Sequence, residues 1–433
     1  MRSIHAALLL TAGVSCAAPH AAAPASVSPK AASFRILRYD VEITPDIRAR
    51  TMVGRTTLEL TPAAPGLAQL RFPKNDLVID AASMGGIDVP TRLEGDERVF
   101  DLPPGLRTDR PARVTVAYHG TAPQGLTFGE TWVYSGYHTC TWMICRDDPG
   151  EKAAFSIRID VPSTYKVVAS GEPAPGRNVW TETQGFSAYL FGFAAGELTE
   201  VTTEVGGVEL RLLGVDETPE SLTRKFAPSA DMLRYFAAKA GIGLPHHAYT
   251  QVLVPGSEAQ EKSSFSIIGK EYLDPILSDP TEDWVIAHEL AHQWWGNQVT
   301  CRTWSEEWLN EGVVTFLVAA YKQQRWGQGA YEREMQIARE GRERAIQARF
   351  DVPLASSRKY PSLRIMRAIA YAKGALFMDL LRRRIGDDAF WRALGSYTQA
   401  NRGKAVDSRD MQAAMERASG VDLAPLFREW VYE

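Results

Sequence analysis

The 433-residue chain carries no excess of positive charge: 48 Lys and Arg stand against 52 Asp and Glu, a formal net charge of -4 at pH 7. No Lys/Arg cluster interleaves with aromatic residues, so neither the field nor the stacking platform of a nucleic-acid partner is present. Beyond the first residues no stretch reaches about eighteen uninterrupted apolar positions, so nothing there has the pattern of a spanning helix. Internal repeats are lacking, which sets aside solenoids and propellers. Cysteine is scarce, with four in the whole chain. Cys140 and Cys145 lie close enough in sequence for a local disulfide, and Cys301 reads most simply as a buried thiol. What the chain does have is 45% hydrophobic and 23% charged residues, the balance of a soluble globular protein, at a length that suggests two domains.

The start reads Met1-Arg2 and then Ala6-Ala7-Leu8-Leu9-Leu10-Thr11-Ala12-Gly13-Val14-Ser15-Cys16. A short positive start followed by an apolar segment too brief for a mature spanning helix predicts a signal peptide over residues 1–18. Residues 19–33, rich in Ala, Pro and Ser, predict a flexible linker. Cleavage near Ala18 or Ala23 competes with lipidation of Cys16, the one membrane attachment expected. Either outcome places the protein in the periplasm or outside the cell, where thiols pair.

Residues 34–215 alternate with period two, as in Tyr39-Asp40-Val41-Glu42-Ile43, Val114-Thr115-Val116-Ala117-Tyr118 and Phe155-Ser156-Ile157-Arg158-Ile159, with Gly and Pro punctuating throughout. That predicts an all-β sandwich. Residues 216–433 change to longer helical periods: Ser221 to Ala240, Asp283 to Asn297, Glu311 to Gln324, Tyr331 to Ile346, Ala368 to Ile385, Phe390 to Gln399 and Ser408 to Ser419. A strand pair, Tyr249 to Val254 and Phe265 to Ile268, precedes the second of these helices. The fold class expected is α+β in two domains.

Within the helical half stands His288-Glu289-Leu290-Ala291-His292-Gln293-Trp294-Trp295-Gly296-Asn297. At 3.6 residues per turn, His288 and His292 fall on one helix face and can address one metal, with Glu289 beside them. A catalytic zinc takes three protein ligands and keeps a position for water. The downstream carboxylate of Trp308-Leu309-Asn310-Glu311-Gly312, heading the apolar run Val313 to Tyr321, supplies the third, giving one zinc per chain.

These residues resemble the gluzincin aminopeptidases, the group of membrane alanyl aminopeptidase and leukotriene hydrolase. Tyr371-Ala372-Lys373-Gly374 matches a further motif, and Met143-Ile144-Cys145-Arg146-Asp147-Asp148-Pro149 is similar to the family's Phe-Pro-Cys-x-Asp-Glu-Pro segment. The resemblance implies a saddle-like β domain followed by a thermolysin-like catalytic domain, with the site in the groove between them. It implies zinc on His288, His292 and Glu311, Glu289 as general base and acid, Tyr371 as donor to the oxyanion, and a peptide as substrate.

The chain departs from the family in three places. The Gly-x-Met-Glu-Asn element that grips a substrate's free amine is replaced by Val254 to Ser266. Setting Ala259-Gln260-Glu261-Lys262 against it keeps an acid at Glu261, with Glu258 as second choice, and the family's amine-binding glutamine has no counterpart around Tyr134 to Thr141. A carboxylate frequent seven residues after the third ligand is Val318 here, so support of the metal shell passes to Glu306 or to a backbone carbonyl. The close at Asp422 to Glu433 resembles the end of the catalytic domain, which implies a short form without the large helical domain and an open groove. Peptide-bond hydrolysis at amino termini is the expected activity; a zinc endopeptidase or amidase, and a peptide-binding scaffold without turnover, are the alternatives.

Overall fold

The computed structural model describes residues 33–433. The expected signal peptide, Cys16 and all but the last residue of the expected linker lie outside the described residues. The described chain forms two compact units: a β-rich unit, residues 33–222 with His246–Ile267, and a helical unit of Thr223–Pro245 with Ile268–Glu433.

In the β-rich unit, strand β1 (Phe34–Asp46) buries Phe34, Ile36, Tyr39, Val41 and Ile43 and leaves Arg35, Glu42 and Thr44 exposed. The alternation slips between Ile36 and Tyr39 because a bulge shifts the register against β2 (Thr51–Pro62) between Ile36 and Arg38. On its other side β1 pairs in parallel with β3 (Lys152–Ile159), which pairs with β4 (Val179–Ser187), within an eight-stranded sheet. The inward faces supply one core that includes Leu58, Val116, Trp142, Phe155 and Phe191. Cys140 and Cys145 form a disulfide.

The same unit holds a five-stranded sheet, in the order β5 (Leu198–Val205), β6 (Val208–Val215), β7 (Ala248–Val254), β9 (Phe265–Gly269), β8 (Ala259–Lys262). Residues 246–267, grouped by sequence with the helical half, cluster with the β-rich unit because β7 pairs in parallel with β6, Leu212 facing Gln251. A parallel pair needs a long crossover, and residues 216–247 provide it. The short polar strand β8 ends the sheet order.

The helical unit contains α1 (Ser229–Ala240), α2 (Trp284–Ala291), α3 (Trp308–Trp326), α4 (Gln328–Gln347), α5 (Gly374–Ile385), α6 (Asp387–Ala400) and α7 (Ser408–Ser419). The helix expected from Ser221 is interrupted: Pro219–Lys225 forms one turn pair, and α1 restarts after Pro228, whose ring removes a backbone donor. All eight residues of α2 are buried, as expected of a helix apolar on nearly every side. Edge-to-face contacts of Trp308 with Phe377 and of Tyr321 with Tyr235 tie α3 to α5 and α1. Among the described residues no helix is long and apolar enough to cross a membrane.

Candidate metal centre

The structure brings His288, His292 and Glu311 together, all buried. The regular helix α2 ends at Ala291, short of the expected Asn297, yet His292 keeps helical dihedrals and its N–H still reaches the His288 carbonyl at 3.2 Å. The i, i+4 geometry therefore survives the helix end. His288 Nε2 and His292 Nε2 are 3.1 Å apart, and Glu311 Oε2 lies 3.3 Å from the first and 3.4 Å from the second. Ligand atoms about 2.0 Å from one tetrahedral ion are separated by about 3.3 Å, so this triangle has the edge lengths of a zinc-class site.

Protonation agrees with that fit. His292 Nδ1 is 3.0 Å from the Trp295 carbonyl, which can only accept; the ring proton sits on Nδ1 and leaves Nε2 with its lone pair toward the triangle. Burial pushes the His288 imidazole below its ordinary pKa, against the pull of Glu311. Burial also pushes the Glu311 carboxyl up, but His292 and His288 outweigh it and hold it well below the usual carboxylate range. The Glu311 carboxylate is thus anionic, and a divalent cation bound here would take the place of the imidazole protons that face it.

Of the two supports considered for the shell, the backbone carbonyl is the one found, that of Trp295. Glu306 hydrogen-bonds Ser408, which also accepts from Trp308 Nε1 at 2.9 Å, and Val318 is buried. Asn310 fixes the entry to α3 by accepting from the Cys301 N–H at 2.9 Å, and Cys301 is a buried thiol.

Tyr371 lies in a π-helical turn, Ala368–Lys373, ahead of α5. Such turns re-aim side chains. Its ring stacks parallel to the His288 imidazole, with centroids 5.7 Å apart and planes at 3°. The approach of this turn to α3 is set by two glycines: a Cβ on Gly312 would stand 2.7 Å from Gly374 Cα, and one on Gly374 would stand 2.8 Å from Gly312 Cα. The residues following Glu311 and Lys373 are thus held backbone to backbone. Lys373 anchors the turn through Asp351 Oδ1 at 2.8 Å and the Val352 carbonyl at 2.7 Å. Glu289 is buried next to His288 on α2.

Sequence reasoning missed the charged residues behind these helices. Asp283 precedes α2, accepts from Trp326 Nε1 at 3.0 Å and lies 4.0 Å from Lys322 Nζ, which binds Glu334 at 2.8 Å. A lysine directly after the apolar run Val313 to Tyr321 was the available signal.

In the β-rich unit, Glu261 is buried on β8, and Glu258, just ahead of β8, is half-buried with its carboxyl pushed up by burial. Gln260 Nε2 donates to Glu261 Oε2 at 2.8 Å, and the Tyr137 hydroxyl donates to the Ala259 carbonyl at 2.6 Å.

Comparison with known proteins follows the same lines. The model of the Peptidase family M1 domain matches residues 230–430. "Probable M1 family aminopeptidase 2" of Encephalitozoon cuniculi is 24% identical over 94% of this chain and 51% of its own length; "Aminopeptidase M1-B" of Oryza sativa subsp. japonica is 25% identical over 91% and 49%. "Aminopeptidase 2" of Candida albicans is 23% identical over 66% of this chain and 33% of its own. The chain thus spans about half, or less, of the length of the curated relatives it matches. Among solved structures, a two-domain M1 zinc metallopeptidase variant bound to L-tryptophan superposes with a TM-score of 0.75 at 25% identity, covering 93% of this chain and 95% of that one. The M1 zinc metallopeptidase of Deinococcus radiodurans gives a TM-score of 0.74 at 24% identity, covering 93% and 94%. The α+β fold is that of these two-domain peptidases, and it is over residues 230–430 that the chain is similar to the peptidase family M1 domain.

Proposed function

We propose that the chain is a zinc-dependent metallopeptidase that hydrolyses peptide bonds at free amino termini. The observation that carries this reading is the triangle of His288 Nε2, His292 Nε2 and Glu311 Oε2, with edges of 3.1, 3.3 and 3.4 Å. Bound there, zinc supplies polarisation of the scissile carbonyl and a water acidified toward neutrality. The rest falls to the protein. Glu289, one residue from His288, accepts a proton from the attacking water and returns it to the leaving amine. The Tyr371 hydroxyl donates a hydrogen bond to the carbonyl oxygen as negative charge develops there. The Trp295 carbonyl holds the tautomer of His292, and Gly312 and Gly374 hold the spacing of Glu311 and Tyr371.

The amino-terminal preference is supported by the curated relatives, which carry the name aminopeptidase, and by the buried carboxylate of Glu261. A buried carboxylate is the natural partner of a substrate ammonium. The test is hydrolysis of a free-amine dipeptide anilide beside its N-acetylated form. Wild type is expected to favour the free amine by roughly a hundredfold, and Glu289→Gln to lose turnover of both while retaining one zinc. Equal rates on the two substrates would reject the terminal preference; an active Glu289→Gln would reject the mechanism.

Export to an oxidising compartment is part of the proposal. It is supported by the Cys140–Cys145 disulfide. Mass spectrometry of the mature N-terminus decides between cleavage near Ala18 or Ala23 and lipidation of Cys16.

A further inference from the structure

Within the helical unit, a cavity of about 440 Å³ is lined by Arg339, Glu340, Glu343 and Arg344 of α4 and by Arg364 of the short helix Leu363–Arg367. Arg344 is half-buried, and its Nε is shut off from solvent with no hydrogen-bond partner. A buried donor left in that state is unfavourable and calls for an acceptor. Burial and the guanidinium of Arg364 both hold the Arg344 pKa below its ordinary value, against the pull of Glu340. The glutamates are bonded elsewhere: Gln336 Nε2 donates to Glu340 Oε1 at 3.1 Å, and Gln347 Nε2 to Glu343 Oε1 at 3.3 Å. Among the described residues no ion pair joins Arg344 or Arg364 to a carboxylate. The same stretches of chain show what such a pair of cations ordinarily receives. Asp351 stands between Arg342 of α4, at 2.8 Å, and Lys373 of the π turn, also at 2.8 Å. There two cations share an anion that the chain supplies; at Arg344 and Arg364 two cations share a cavity and the chain supplies none.

We propose that this cavity binds a phosphate group, as inorganic phosphate or a phosphate monoester, between Arg344 and Arg364, with Arg339 as a third donor. A guanidinium presents paired N–H donors that match phosphate oxygens, and Arg339 has only its Nε engaged, with Gln336 Oε1 at 2.9 Å. Like charges brought together partly out of water repel, and an anion between them turns that repulsion into attraction. A phosphate monoester carries about -1.5 to -2 charges at neutral pH, enough to answer both arginines. The cavity volume falls within the roughly 300–1,000 Å³ of small-molecule pockets, which leaves room for an organic substituent beside the phosphate. Glu340 and Glu343 oppose an extended polyanion, so the site takes one phosphate group and not a chain of them. Leu363–Arg367 runs directly into Ala368–Lys373. The bound anion therefore adds a second tie between α4 and the turn that carries Tyr371, beside the one Asp351 makes.

The site depends on neither the metal nor the peptidase activity. Titration of the intact zinc-loaded protein with inorganic phosphate and with glycerol phosphate, at constant ionic strength set by chloride and followed by phosphorus NMR, should show saturable binding. Arg344→Gln and Arg364→Gln should each raise Kd about tenfold or more, the effect of losing hydrogen bonds to a charged group. Arg333→Gln, an exposed change on α4 outside the cavity, should leave Kd at the wild-type value. Arg364 is itself exposed, so Arg364→Gln carries the comparison should Arg344→Gln melt early. Hydrogen exchange read by mass spectrometry supplies a second readout: phosphate should slow exchange across residues 363–373 in wild type and not in Arg364→Gln. Vesicles of phosphatidylcholine containing phosphatidic acid distinguish the source. Co-sedimentation that Arg364→Gln abolishes puts the phosphate on a lipid headgroup; soluble binding without co-sedimentation puts it on a free phosphate. A Kd equal in wild type and both arginine variants overturns the proposal. Binding that disappears on chelation yet persists in Arg364→Gln also overturns it, because that phosphate sits on the metal.

Discussion

At Gly296 the backbone passes through φ 121°, in the region that favours glycine, directly against the ring of His292. A Cβ there would stand 2.7 Å from His292 Nδ1, the nitrogen that donates to the Trp295 carbonyl. The glycine that ends the histidine motif is therefore also what lets the second imidazole lie in its metal-facing orientation. Gly296→Ala is expected to weaken zinc binding by roughly ten- to a hundredfold, as does the loss of an outer-shell partner elsewhere. Competition against a chelating indicator measures it, and affinity equal to wild type would show that the ring is held by something other than this contact. Residue by residue, the candidate donors could be singled out because side-chain identity and helical spacing both bear on them: His288, His292 and Glu311 were named from their positions, and the structure brings the three together. The Trp295 carbonyl could only be offered in general terms, since every residue carries a carbonyl and only the fold selects one.

At the scale of elements, the metal helices are braced by charge placed out of water. Asp283, ahead of α2, meets Trp326 and Lys322 of α3, and Lys322 meets Glu334 of α4. Burial pushes the Asp283 carboxyl up from 3.8 to about 6, with Lys322 and Trp326 pulling the other way and Glu334 adding to the rise. The native state then holds a proton between about pH 4 and pH 6 that the unfolded chain has released, so stability declines as pH rises through that window, by on the order of 2–3 kcal/mol. Asp283→Asn keeps an oxygen for Trp326 and cannot ionise. Urea unfolding of chelator-treated protein at pH 4.5 and 6.5 should show the variant gaining on wild type as pH rises; a constant difference would mean that Asp283 titrates normally.

The same scale shows where pattern reading stops. Some long periodic helices were legible to the residue, as with Ser408–Ser419, whereas the run from Ser221 breaks at Pro228 and the run from Asp283 stops at Ala291. Strand β8 was not, because Ala259-Gln260-Glu261-Lys262 has no apolar alternation, and its strand character comes from pairing at the end of a sheet. The π turn at Tyr371 was read as ordinary helix, since one extra residue in a turn leaves no mark on an apolar sequence such as Ala368 to Ala372.

Over the whole molecule, the proposed site residues and the disulfide fall in different units. His288, His292, Glu311 and Tyr371 belong to the helical unit; Cys140 and Cys145 belong to the β-rich one. An ion that binds only the native state stabilises what it binds, by about 2.7 kcal/mol at a hundred times its dissociation constant. A disulfide closing a loop over a sequence separation of 5 constrains the unfolded chain by about 2 kcal/mol. The two perturbations should therefore act on different peptides in hydrogen exchange read by mass spectrometry. Chelation is expected to speed exchange in Trp284–Ala291 and Trp308–Trp326 and to leave Phe34–Asp46 and Lys152–Ile159 near their starting protection. Reduction should do the reverse, loosening the segment around Cys140 and Cys145 and sparing the metal helices. The assignment of donors fails if chelation loosens Phe34–Asp46 as much as Trp284–Ala291, because a site built from α2 and α3 alone gives the metal no direct hold on that strand.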